Sequence, residues 1–145
     1  MTTTRHVGRA AGVAAATAAR WRVELRAGAH HLVADEPAEN GGGDTGPSPF
    51  DLLLSGLAAC TAITLRMYAG RKGWDLAAIE VEVRYDLDDQ GQASIDRTIT
   101  VPASLPQEQR DRLADIAERT PVTLAVRAGT PITTTMRTTQ PVPKA

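Results

Sequence analysis

The stretch from Ser48 to about Ala69 limits the possible folds more than any other, because it reads as one long helix that is apolar on every side. Its start is well marked. Ser48 is a good N-cap, Pro49 takes the first helical position where a missing N–H costs nothing, and Asp51 follows three residues past the cap, so Ser48 and Asp51 approximate a capping box. Gly70 and Gly73 give stop signals, and Arg66, Arg71 and Lys72 complement the negative end of the helix dipole. At 1.5 Å per residue the rod is roughly 33 Å long. Turning about 100° per residue from Cys60, the side chains of Leu53, Gly56, Leu57, Ile63, Thr64 and Met67 fall within about 60° of one direction. Cys60 is therefore expected to face something packed. The other sides carry Leu52, Leu54, Ala58, Ala62 and Leu65. A helix apolar all round belongs inside a protein or an oligomer, and one small domain could hardly cover it alone.

The flanking segments supply sheets. Trp21 to Arg26 alternates apolar and charged residues, which is the period of a half-buried strand, and His30 to Ala34 can return antiparallel after the small turn Ala27-Gly28-Ala29. Asp35 to Pro47, rich in Gly and Pro near its end, is expected to be a flexible loop that leads into the helix. Ile79 to Tyr85 and Ser94 to Val101 alternate again on either side of the turn signal Asp88-Asp89-Gln90-Gly91. Leu105 opens a second helix reaching Arg119, and Pro121 should break or kink it. A short turn through Val122 to Val126, a last strand over Ile132 to Met136 and a polar, Pro-containing tail complete the chain. The expected class is α+β with antiparallel sheets, as a single domain over residues 1–145.

Composition excludes several function classes. The 145 residues suit one core, and 16 Lys+Arg against 17 Asp+Glu leave no electrostatic footprint for nucleic acid. Two Trp, two Tyr and one Phe are too few for a base-stacking platform. The most apolar run, Leu52 to Leu65, is interrupted by Ser55, Gly56, Thr61 and Thr64, so no membrane span is expected. A single cysteine forms no internal disulfide, which places the chain most simply in a reducing, cytoplasmic setting. The run Ala10 to Ala19 after Arg5 and Arg9 faintly resembles a targeting segment, but its apolar residues are almost all Ala.

Chemistry has few places to sit. Gly41 to Ser48 lacks the Lys of a phosphate-binding loop, since Pro47 stands in its place. Ser55 lies inside a helix without the flanking glycines of a nucleophile elbow. His6, His30 and His31 have no metal-ligand spacing, because His30 and His31 point to opposite faces of a strand. No metal and no cofactor are expected. Cys60 remains. Free cysteine commonly behaves as a small buried hydrophobe, and a mid-helix thiol gains little from the dipole, so reactivity requires a cationic or hydrogen-bonding neighbour.

Gly46-Pro47-Ser48-Pro49-Phe50-Asp51-Leu52-Leu53-Leu54, continuing through Ala58-Ala59-Cys60-Thr61-Ala62, resembles the signature helix of the OsmC/Ohr family. His30 to Pro37 upstream, Thr64 to Ala69 and Arg71 to Trp74 downstream, and more weakly Leu113 to Thr134, are similar to the same family. The resemblance implies an intertwined homodimer in which antiparallel sheets from both chains wrap two long central helices. It also implies a thiol peroxidase: a cysteine thiolate attacks an organic hydroperoxide, becomes a sulfenic acid and is captured by a second cysteine. Cys60 holds the attacking position.

The departures from that pattern bear on activity. Thr120 stands before Pro121-Val122, where the family's second cysteine is expected, so no resolving thiol exists within the chain. Phe50 occupies the position of a carboxylate that Ohr-type members carry after the helix proline, leaving Asp51 next door as a cap and a secondary catalytic candidate. Arg9, Arg20, Arg22 and Arg26 are equal candidates for an activating arginine. The leading expectation is an OsmC-like peroxidase that reduces organic hydroperoxides through Cys60 with an external thiol as resolver. Its partners would be a second copy of the chain and a small hydroperoxide or thiol. The alternative is an OsmC-fold dimer that has lost turnover and binds a small ligand or serves structurally. A thiol-dependent hydrolase or isomerase is disfavoured, because no general base is visible beside Cys60.

Overall fold

Side-chain alternation builds two antiparallel sheets, and the apolar rod joins them. The structure, a computed structural model, describes residues 3–139 and 143, so most of the Pro-containing tail lies outside the described residues. Strands β1 (Ala10–Val13), β2 (Val23–Ala27) and β3 (His30–Ala34) form one sheet in that order. The β2–β3 hairpin is the expected one, with Val23 opposite Ala34 and Ala27 opposite His30. Nothing in Ala10-Ala11-Gly12-Val13 signals a strand, because three of its four residues have low strand propensity. The free edge of β2 imposes that pairing.

The loop from Asp35 to Pro47 is organised, contrary to the flexible segment expected. It contains a short 3₁₀ turn, Ala38–Asn40. Asp35 is buried at its root, and its carboxylate accepts from the Thr45 hydroxyl at 2.6 Å, the Thr45 N–H at 3.1 Å and the Glu36 N–H at 2.8 Å. Those hydrogen bonds, with that from the Thr45 hydroxyl foremost, lower the Asp35 pKa to about 2. Because this folded value lies below the unfolded value near 3.9, the ionised carboxylate stabilises the fold above about pH 4, and that contribution is lost as pH falls towards 2. The stability gap between wild type and Asp35→Asn is thus expected to be widest near neutral pH and to narrow through this window, as measured by urea midpoints. Close backbone approach explains two of the glycines. A Cβ at Gly42 would overlap the Glu36 carbonyl, and one at Gly46 would overlap the Val33 carbonyl. Gly46→Ala is expected to cost about 2 kcal/mol, seen as a fall of roughly 4–8 °C in Tm.

Helix α1 (Pro49–Lys72) follows, three residues longer than the sequence suggested because the chain turns left-handed only at Gly73. The capping box is present: Ser48 Oγ accepts from the Asp51 N–H at 3.2 Å, and the Asp51 carboxylate accepts from the Ser48 N–H at 3.4 Å. By length and composition α1 is long and apolar enough to cross a membrane. The small residues that seemed to interrupt the run lower its apolar character too little to exclude that. Packing gives the helix another use. Leu57, Thr61, Leu65 and Ala69, four residues apart, form one buried stripe.

Strands β4 (Glu80–Leu87) and β5 (Ala93–Thr100) form the second hairpin and pack beside α1. Val81, Val83 and Tyr85 on β4 stand opposite Ile99, Arg97 and Ile95 on β5, and all six are partly buried. After α2 (Gln107–Ala117), residues 122–126 are helical and not a turn, because Pro121 starts a new helix, α3 (Pro121–Ala128). A proline at the first helical position ends nothing. The core gathers Leu65 and Ala69 of α1 with Leu76, Leu105, Leu113 and Ala117. The strand expected over Ile132–Met136 is not formed: no neighbouring strand offers its edge, and Ile132 and Met136 are each 89% exposed.

Candidate functional site around Cys60

Cys60 sits midway along α1 and is partly buried. The side chains that share its direction are open within the chain: Leu53 is 44% exposed, Ile63 59% and Met67 58%. The packed surroundings expected for the thiol are therefore absent from the single chain, because β4, α2 and α3 cover only the stripe from Leu57 to Ala69. Cys60 lies at the centre of an uncovered apolar face.

The other candidates are not brought to it. Asp51 is nine residues earlier, which places it roughly 13 Å away along the axis and on the opposite side of the helix. Its carboxylate is engaged at the cap. Arg20 donates to the Gly41 carbonyl at 2.9 Å, and Arg22 pairs with Glu24 at 2.7 Å. Arg9 and Arg26 line a groove on β1 and β2. None of these four arginines hydrogen-bonds α1 among the described residues. Phe50 is an exposed aromatic whose ring meets Tyr85 at 4.7 Å between centroids.

A different arginine reaches the helix. Arg97, on the inward face of β5 with only 11% of its side chain exposed, donates through Nη1 to Thr61 Oγ1 at 3.0 Å and to Thr123 Oγ1 at 2.7 Å. Its Nη2 donates to the Ala117 carbonyl at 2.9 Å and lies 3.7 Å from Glu118 Oε1. The network extends at both ends. Thr61 Oγ1 donates to the Leu57 carbonyl at 2.8 Å, and Thr123 Oγ1 is 2.6 Å from Oγ1 of the fully buried Thr120. Thr120, standing where a resolving cysteine was looked for, is thus one end of a buried hydroxyl chain that leads to the residue after Cys60. The signal for Arg97 was present in the sequence: an arginine in phase with Ile95 and Ile99 on an alternating strand must point inward with them.

Beside this network opens a cleft of about 510 Å³, walled by Leu57, Tyr85, Ile95 and Val126 with Arg97 and Thr123 at its polar side. Among the described residues no three His, Cys, Asp or Glu side chains converge in a way that could hold a metal ion.

Comparison with known proteins places the chain. Solved structures share the fold at low identity. An organic hydroperoxide resistance protein OsmC from Legionella pneumophila is 20% identical, with a TM-score of 0.65 over 86% of this chain and 92% of that one. An OsmC like protein from Mycoplasma pneumoniae is 18% identical, with a TM-score of 0.66 over 87% and 91%. The organic hydroperoxide resistance protein OhrB of Bacillus subtilis is 23% identical, with a TM-score of 0.57 over 86% and 93%. No curated protein matches the sequence significantly. The family model described as OsmC-like protein matches residues 41–135, from the loop before α1 through both later helices, and the chain therefore belongs to the OsmC-like family.

Proposed function

We infer that this protein is a thiol-dependent peroxidase that reduces organic hydroperoxides at Cys60 and relies on an external thiol to complete the cycle. One observation carries the reading: the chain's single thiol stands at the middle of the family's long helix, on an apolar face suited to an organic substrate. Solved structures of the same fold include organic hydroperoxide resistance proteins, which supports peroxide as the substrate class. The Cys60 thiolate attacks the outer peroxide oxygen, the O–O bond breaks, and the alkoxide leaves and takes a proton as the alcohol. Cys60 is left as a sulfenic acid. Thr120 offers no thiol, so a small external thiol condenses with the sulfenic acid, releasing water and forming a mixed disulfide. A second thiol then displaces Cys60 and leaves as the oxidised dithiol. Asp51 serves as the cap, and the thiol carries the chemistry. Such a cycle suits a reducing, cytoplasmic compartment.

A second copy of the chain is the natural cover for the exposed face. Leu53, Ile63 and Met67 are more apolar surface than a free helix keeps in water, and the alternating segment at 132–136 lacks a strand partner within its own chain. The reading is tested by cumene hydroperoxide consumption with dihydrolipoamide or dithiothreitol as reductant. Turnover with either supports it; none with both, over a range of concentrations, removes it. The competing reading, a small-ligand binder without turnover, is favoured by the 510 Å³ cleft beside Arg97 and by Thr120 at the resolving position.

A further inference from the structure

We propose that Arg97 is a positioning residue for Cys60, holding the turn of α1 that carries the thiol in one orientation. The inference rests on Cys60 being the reacting group. Thr61, the next residue, is fully buried and uses its hydroxyl twice, donating to the Leu57 carbonyl and accepting from Arg97 Nη1. A hydroxyl bonded back to the carbonyl four residues earlier competes with the backbone for that acceptor and biases the local helix geometry. The turn concerned, Leu57 to Thr61, is the one that contains Cys60.

Arg97 fixes that turn from outside the helix. Its planar fork spans three elements: Thr61 on α1, the Ala117 carbonyl at the end of α2 and Thr123 on α3. A guanidinium can satisfy these divergent acceptors at once, whereas an ammonium on a flexible stem cannot. No other arginine hydrogen-bonds a side chain of this stretch of α1 among the described residues. Attack on a peroxide demands alignment of sulfur with the O–O bond, and misplacement by about 1 Å costs on the order of 100-fold in rate. A thiol on an otherwise open face gains that alignment from its backbone.

The test uses full-length protein carrying ¹³Cβ-labelled cysteine, which yields one signal because the chain has a single cysteine. In wild type, Cys60 is expected to show couplings of a single side-chain rotamer. Arg97→Lys and Thr61→Val are expected to show averaged couplings, while Thr61→Ser, which keeps the hydroxyl, retains the wild-type pattern. Sulfenic acid formation with cumene hydroperoxide should fall about 10- to 100-fold in the first two variants and stay within threefold in Thr61→Ser. A merely structural Arg97 would lower Tm and leave the couplings unchanged. Unchanged couplings in folded Arg97→Lys, or loss of the single rotamer in Thr61→Ser, would overturn the proposal. Should wild type form no sulfenic acid, the peroxidase reading fails, and the couplings still decide the role of Arg97.

Discussion

Cys60→Ser is expected to lower hydroperoxide reduction by roughly 1,000-fold or more while leaving the fold intact. Serine differs from cysteine by one atom, and Cys60 is only partly buried on an uncovered face, so the stability change should stay within about 1 kcal/mol. Reactivity changes far more. A serine hydroxyl is not ionised near neutral pH and no base is bonded to this position among the described residues, so the variant has no nucleophile for the peroxide oxygen. Steady-state consumption of cumene hydroperoxide, with Tm measured in parallel, checks both halves. A variant retaining a tenth of the activity would move the chemistry away from Cys60.

The second large effect concerns assembly. Met67 lies about 20° around the helix from Cys60 and is 58% exposed within the chain, so a covering subunit would bury it. Met67→Asp places a carboxylate in that seam, where an unpaired charge costs several kcal/mol. A penalty of about 3 kcal/mol raises the dimer Kd on the order of 100-fold. Sedimentation of wild type is expected to give a dimer, and Met67→Asp a monomer or a concentration-dependent mixture. Met67→Leu, similar in volume and apolar, should sediment as wild type. A wild-type monomer at micromolar concentration would remove the proposed cover for the face around Cys60.

The elements that carry function were readable because their signals are local. Ser48, Pro49 and Asp51 mark a helix start in any context, and the capping box they form matches that pattern. The strands β2 to β5 follow from alternation, to within two residues at their ends. Three misreadings have a common cause in partners distant along the chain. Strand β1 exists because β2 has a free edge, although Ala10-Ala11-Gly12-Val13 has little strand propensity of its own. The segment 132–136 alternates as a strand should, yet no edge is there to receive it. Pro121 was read as a breaker because proline ends one helix as readily as it begins the next, and only the extended backbone of Thr120 decides between them.

The site was half legible. Cys60 stood out as the lone thiol within a recognisable helix, and Thr120 and Phe50 as departures. The arginine was sought near the N-terminal hairpin, but the one that reaches α1 comes from β5, 36 residues after Thr61. Strand phase gives the direction of Arg97 but not which helix it meets. The apparent packing of Cys60 was misjudged for a similar reason: a helix apolar all round announces that it is covered, without saying by which chain.

The most direct test of the central claim is the intact mass of the reduced protein after one equivalent of cumene hydroperoxide, with dimedone present to trap sulfenic acid. The account predicts a single dimedone adduct mapped to Cys60, absent in Cys60→Ser and lost when dihydrolipoamide is added first. An unchanged mass, with the thiol still titratable after exposure to peroxide, would contradict it.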